Sequence, residues 1–234
     1  MTNATQAKGL FLVLEGPDGS GKTTQLNRLN EFLTSQNREV VIAREPGGTK
    51  WGQKIREIFL AGQGELDPMA EVMLLLAAKA QVLKEVVYPA YNAGKIVLMD
   101  RYSDSLLAYQ GGGRQLGLER MRRLLQVSEL NFPPDLTIYM NTSWAICSGR
   151  ILNREISQNN TIDALSADYH KRVHRAYGDI VQYARENKQP HAVVLGDSPP
   201  NRVAVDVLEA VHELIPDLFA IPVKRIHCEV EMRD

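Results

Sequence analysis

The chain has 234 residues, 44% of them hydrophobic, enough to fill the core of one large α/β domain. Its 27 Lys and Arg against 28 Asp and Glu leave a net charge of −1, which argues against a nucleic-acid polymer as partner. Residues 1–8 carry no apolar signal core, no run approaches the ~20 apolar residues of a membrane span, and Cys147 and Cys228 lack metal-like spacing. A soluble, cytoplasmic protein with reduced thiols is expected.

Leu10 to Leu14 is a short apolar run that reads as a strand. Gly16-Pro17-Asp18-Gly19-Ser20-Gly21-Lys22-Thr23 follows and fits G-x-x-x-x-G-K-S/T, after which Leu26, Leu29, Phe32 and Leu33 recur at helical spacing. Strand, glycine loop and helix together are the context in which this motif binds a polyphosphate. The glycines let successive backbone N–H groups point inward, and the helix aims its N-terminal dipole at the same place. Gly16, Pro17, Asp18, Gly19, Ser20, Gly21, Lys22, Thr23 and Thr24 therefore form the expected ATP-binding segment. Lys22 would reach the β- and γ-phosphates, and Thr23 would offer its hydroxyl to Mg²⁺.

Glu39 to Ala43 (EVVIA) reads as a second strand, and Arg44-Glu45-Pro46-Gly47-Gly48 as a turn, with Thr49 an N-cap for a helix through about Leu60. Residues 61–68 read as a loop. A long helical pattern starts near Met69, and Pro89 should kink or end it near Tyr88. Ile96 to Met99, ending in Asp100, Leu136 to Met140, and Val193 to Leu195 are three further strand runs. Helical patterns over Leu118–Leu130, Trp144 to about Arg154, Ser166–Glu186 and Arg202–Leu214 fill the gaps. This alternation predicts an α/β, three-layer P-loop NTPase fold, a five-stranded parallel sheet with helices on both faces. Ligands on such sheets bind beyond the carboxyl ends of the strands, where the glycine loop, Arg44, Asp100 and Asn141 fall.

Asp100 ends a buried strand, a place from which an acid commonly approaches the P-loop Mg²⁺. Arg101 beside it reads as a fork for a second phosphate. Tyr102 to Ser105 and Ala108 to Arg114 supply hydroxyls, an amide and glycines suited to a polar pocket.

These segments resemble one family. Glu15-Gly16-x-Asp18-Gly19-x-Gly21-Lys22-Thr23-Thr24-Gln25, Arg44-Glu45-Pro46-Gly47-Gly48-Thr49, Asp100-Arg101-Tyr102-x-x-Ser105 and Ala108-Tyr109-Gln110-Gly111 are similar, in order and spacing, to bacterial thymidylate kinases over about residues 9–215. The resemblance implies transfer of the ATP γ-phosphate to dTMP, giving dTDP in dTTP synthesis, with Mg²⁺ held near Thr23 and Asp100, and a homodimer packed through helices. It implies a flexible N-terminus over residues 1–8, a kinase domain over 9–215 with a lid at about 148–164, and an extension over 216–234 that suits an edge strand or a flexible end equally. Asp18 would lie near the deoxyribose 3′-hydroxyl and help arrange the metal. Arg44, Arg56 and Arg101 would hold the acceptor phosphate, with Pro46 beside them. Ser105, Tyr109 and Gln110 would line the nucleoside pocket.

Some members carry an arginine just after the position of Asp18, where this chain has Gly19. The transition-state cation is then expected from the lid, as Arg150 or Arg154, and such an arginine is worth roughly 4–7 kcal/mol. Relatives place an aromatic and an arginine in the helix before the third strand, where this chain has Leu75 and Lys79. Leu75 keeps an apolar contact without a π face, and Lys79 keeps the charge without the planar fork. In the lid, Asn160-Thr161-Ile162-Asp163 departs from the acidic pattern of relatives, leaving Asp163 as a partner. His170 and His174 are read as helix-face residues, because HKRVH lacks the glutamate of a zinc HExxH motif. A kinase of another nucleotide or nucleoside, or a nucleotide-binding module without turnover, remains the alternative reading.

Overall fold

The structure is a computed structural model that describes residues 8–60, 66–153, 162 and 165–219. Five parallel strands, β1 (Leu10–Glu15), β2 (Val40–Arg44), β3 (Ile96–Asp100), β4 (Leu136–Asn141) and β5 (His191–Leu195), form one sheet in the order β2-β3-β1-β4-β5. The central strands are continuous apolar runs because both their faces are covered. Alternation then sorts the side chains. Leu12, Leu14, Leu98, Leu136 and Ile138 pack on one face with α1 (Lys22–Ser35) and α9 (Pro200–Leu214). Phe11, Val13, Val97 and Met99 pack on the other with Val82, Leu83 and Val87. Leu12 stands opposite both Leu98 and Leu136, so truncating it to Ala would leave a cavity costing about 2–5 kcal/mol.

Thr49 precedes α2 (Lys50–Leu60), and its Oγ1 accepts the Gly52 N–H at 2.9 Å. Asp67 caps α3 (Pro68–Val82) by accepting from the backbone of Met69 and Ala70. Of the two outcomes expected at Pro89, a kink or an end near Tyr88, the helix does not end there. A π turn over Leu83–Val87 intervenes, in which the Tyr88 N–H reaches Leu83 O five residues back, and α4 (Tyr88–Asn92) continues the rod. Pro89 sits in the first turn of α4, directly after the π turn.

After β3 comes α5 (Ser103–Leu106), which runs straight into a second π segment over Leu107–Gly113. This segment packs against α8 (Ala167–Glu186) closely enough that a Cβ on Gly112 would lie 2.4 Å from the Ala176 Cβ. α6 (Leu118–Val127) and α7 (Trp144–Leu152) flank β4 in sequence. The described chain closes with Leu218 and Phe219 buried against α1, Phe219 edge-on to Phe32 at 5.1 Å. No helix among the described residues is long and apolar enough to cross a membrane.

Candidate active site

β1, β3 and β2 deliver their carboxyl ends to one rim, and the glycine loop leaves β1 there. Gly19, at φ 77°, approaches the backbone of α7 so nearly that a Cβ would lie 2.5 Å from Cys147 O. Only glycine suits both conditions. Lys22 is buried, and its ammonium donates to Pro17 O at 2.7 Å and Ser20 Oγ at 3.4 Å. Burial first, then the positive charge of Arg101, lowers its pKa to about 8. Thr24 is exposed in the first turn of α1.

Thr23 Oγ1 donates to Asp100 Oδ2 at 2.8 Å. The other oxygen, Asp100 Oδ1, is buried without a partner. Such an atom is costly unless something binds it, and a hydroxyl beside a half-satisfied carboxylate is a donor set suited to a hard cation and its waters.

Arg101 adopts φ 67°, a left-handed conformation that a non-glycine residue rarely holds, and its N–H is fixed to Leu14 O at 3.0 Å. Its guanidinium reaches back across the loop to Asp18 Oδ1 at 2.5 Å, Gly16 O at 3.1 Å and Ser105 Oγ at 3.2 Å. Tyr109, kept protonated by burial, donates to Asp18 Oδ2 at 2.7 Å. Arg56 donates to Pro46 O at 3.1 Å. Burial first, then the nearby charges of Arg44 and Arg101, lowers the Arg56 pKa. A guanidinium whose charge is opposed by burial and by two neighbouring guanidiniums is suited to receive an anion.

Arg56 and Arg101 border an open cleft of about 710 Å³ between the glycine loop, α2, α3 and the second π segment. Its wall includes Asp18, Pro46, Arg56 and Arg101 at the charged end. Leu75, Lys79, Ser105, Tyr109 and Gln110 line the rest. Arg44 is not in the wall; it is exposed at the end of β2, level with Asp100.

Three acids that hold this arrangement carried no assigned role in the sequence reading. Glu15, fully buried, accepts from the backbone of Tyr102 and Ser105, from Ser105 Oγ at 2.7 Å and from Tyr177 at 2.9 Å. It thereby anchors the Arg101–Ser105 segment to the end of β1. Glu45 pairs with Lys79 at 2.9 Å, and the Lys79 ammonium also sits 3.2 Å from the Tyr102 ring centroid. Burial lowers Lys79 and raises Glu45, and each partner's charge opposes that drift. Glu71 takes a two-pronged contact from Arg114 and lies 3.4 Å from Gln110 Nε2. An acid inside an otherwise apolar strand or helix was the available signal for Glu15 and Glu71.

Arg150 bridges Gly19 O and Gly196 O, each at 3.1 Å, so it ties the glycine loop to the end of β5. Arg154, Asn160, Thr161 and Asp163 lie outside the described residues, as do residues 220–234 and Cys228. Ile162 is described, buried, and part of the cleft wall. His170 stacks on Trp144 at 5.5 Å and His174 meets it edge-on at 5.4 Å. Among the described residues no group of three His, Cys, Asp or Glu side chains forms a metal cluster.

A P-loop beside a cleft whose wall carries further guanidiniums fits a small-molecule P-loop kinase; a nucleotide switch has no use for the added cations. The thymidylate kinase family model matches residues 14–192. A thymidylate kinase from Deinococcus radiodurans is 36% identical over 88% of this chain and 98% of its own length. One from Staphylococcus haemolyticus is 40% identical over 88% and 96%. The crystal structure of thymidylate kinase from Ehrlichia chaffeensis superposes with a TM-score of 0.69 at 27% identity, covering 88% of this chain and 99% of that one. The chain belongs to the thymidylate kinase family.

Proposed function

We propose that the chain transfers the γ-phosphoryl group of ATP to dTMP, giving dTDP, by in-line displacement. Family membership makes it a nucleoside monophosphate kinase acting on thymidylate with ATP as donor. The observation that carries the geometry is that Asp18 of the glycine loop shares one cleft wall with Arg56 and Arg101, with Arg44 near enough to Arg56 to lower its pKa. Little covalent work falls to the protein, since positioning and charge supply most of the rate.

Lys22 neutralises the donor phosphates at the loop, having exchanged its Pro17 contact for theirs. Arg44 and Arg56 hold the acceptor phosphate, and Arg101 spans the gap between it and the glycine loop. Asp18, fixed by Arg101 and Tyr109, faces the acceptor sugar. Pro46 and Ser105 complete that wall, with Leu75, Lys79 and Gln110 around the base. Thr23 and the unpartnered Asp100 oxygen would hold Mg²⁺, which when bound neutralises charge on the donor phosphates. Arg150, which holds the backbone of the glycine loop at Gly19, or Arg154 supplies the remaining cation on the donor side.

A homodimer is supported by the outer faces of α2 and α3, which leave Trp51, Ile58 and Met73 at least half exposed. We place the protein in the cytoplasm, where its nucleotides are found. The deciding experiment is a coupled ADP-release assay with Mg-ATP and dTMP beside dUMP, UMP, CMP, dGMP and thymidine. Preferred turnover of dTMP is the expected result. ATP binding with no turnover of any acceptor would overturn the reading in favour of a binding module.

A further inference from the structure

The cleft needs a flat, apolar surface for a planar base, and Leu75 does not offer an aromatic one. Three other aromatic side chains line the cleft: Phe59, Tyr102 and Tyr109. Two are committed elsewhere. The Lys79 ammonium occupies the Tyr102 ring at 3.2 Å, and the Tyr102 hydroxyl reaches Leu130 O. The Arg101 guanidinium lies 4.9 Å from the Tyr109 ring centroid, and the Tyr109 hydroxyl is bound to Asp18. Phe59 is half-buried and makes no ring–ring or cation–ring contact among the described residues.

Position on α2 adds a second argument. Phe59 follows Arg56 by three residues, so both project from one helix face. Their Cα atoms are separated by about 4.5 Å along the axis. Arg56 marks the phosphate end of the cleft, and Phe59 stands beside the apolar end with Leu75 and Leu76.

We propose that Phe59 is the specificity-determining aromatic of the acceptor site, giving its ring face to the planar base of a nucleoside monophosphate in place of Leu75. The inference rests on the thymidylate reading and adds to it where the π surface comes from. An aromatic pair adds to binding in proportion to ring overlap, so its loss appears in acceptor affinity and leaves the donor side alone.

The test uses Phe59→Leu, which keeps bulk and removes the ring, together with Phe59→Tyr and the exchange Phe59→Leu/Leu75→Phe. Wild type and variants are compared for dTMP KM, ATP KM, kcat, and inhibition by 2-deoxyribose 5-phosphate, which lacks the base. Phe59→Leu is expected to raise the dTMP KM roughly 3- to 10-fold. ATP KM and inhibition by the base-free phosphate should be unchanged, and Phe59→Tyr and the exchange should restore the dTMP KM. An unchanged dTMP KM in Phe59→Leu overturns the inference. So does an equal loss of 2-deoxyribose 5-phosphate inhibition, which marks general damage to the cleft. Failure of the wild type to turn over dTMP would instead overturn the thymidylate reading, and so the two failures are separable.

Discussion

Lys79→Met removes one partner of the buried Lys79–Glu45 pair while keeping volume and an unbranched apolar stem. Glu45 cannot escape to water easily: it is 9% exposed, and its backbone N–H is tied to Asp100 O at 3.1 Å. Breaking a buried pair from one side costs roughly 3–5 kcal/mol. Protonation of the stranded carboxyl sets a ceiling on that cost. At 1.36 kcal/mol per pH unit above an unfolded value near 4.3, the ceiling is about 3.7 kcal/mol at pH 7 and about 1 kcal/mol at pH 5. The sign follows from Glu45 being raised in the folded state by burial. The folded variant then holds a proton that the unfolded chain releases, so its deficit grows as pH rises above about 4.3. Urea unfolding followed by tryptophan fluorescence at pH 5 and pH 7 measures this. Glu45→Gln/Lys79→Met should recover more than about 2 kcal/mol at pH 7 and flatten the pH dependence. A Lys79→Met deficit below about 1 kcal/mol at pH 7, or equal deficits at both pH values, would refute the account of the pair.

Arg56→Ala is expected to raise the dTMP KM roughly 10- to 100-fold in steady-state kinetics, the worth of one charge-assisted contact, with ATP KM nearly unchanged. Lys22, lowered to about 8 in the free protein, should regain its ordinary value against a polyphosphate, so ATP binding takes up protons above about pH 8 and weakens as pH rises. Calorimetry in two buffers of different ionisation enthalpy at pH 8.5 reads the uptake directly, and identical apparent enthalpies would contradict it. Gly112→Ala puts a methyl 2.4 Å from the Ala176 Cβ and should cost about 1–3 kcal/mol, read as a drop in melting temperature of roughly 2–12 °C.

Much of the scaffold could be read locally. A parallel strand covered on both faces must be apolar throughout, so β1, β3 and β4 announce themselves as LFLVL, IVLM and LTIYM. Pro89 does not end the helix near Tyr88, one of the two outcomes its position suggested. The π turn over Leu83–Val87 accommodates the ring, and such turns leave no mark in apolar spacing. AYQGGG read as the lining of a polar pocket, and Tyr109 and Gln110 do line the cleft, but nothing local marked it as a π segment. Gly112 and Gly113 permit close approach to Ala176 and Tyr169 of α8, about sixty residues away along the chain.

The sequence by itself determined the donor cradle and the order of the fold. A P-loop binds phosphate with the backbone of consecutive residues, so its chemistry is written in one unbroken stretch from Gly16 to Thr23. On the acceptor side the resemblance named residues one by one, and only the tertiary structure decided which of them touch. Asp18 meets Arg101, Glu15 meets Tyr177, Glu45 meets Lys79, and Phe59 shares a wall with Leu75 because separate helices converge on the strand ends. Contacts between residues that distant depend on how the elements pack, and no local pattern of residue types encodes which pairs will touch.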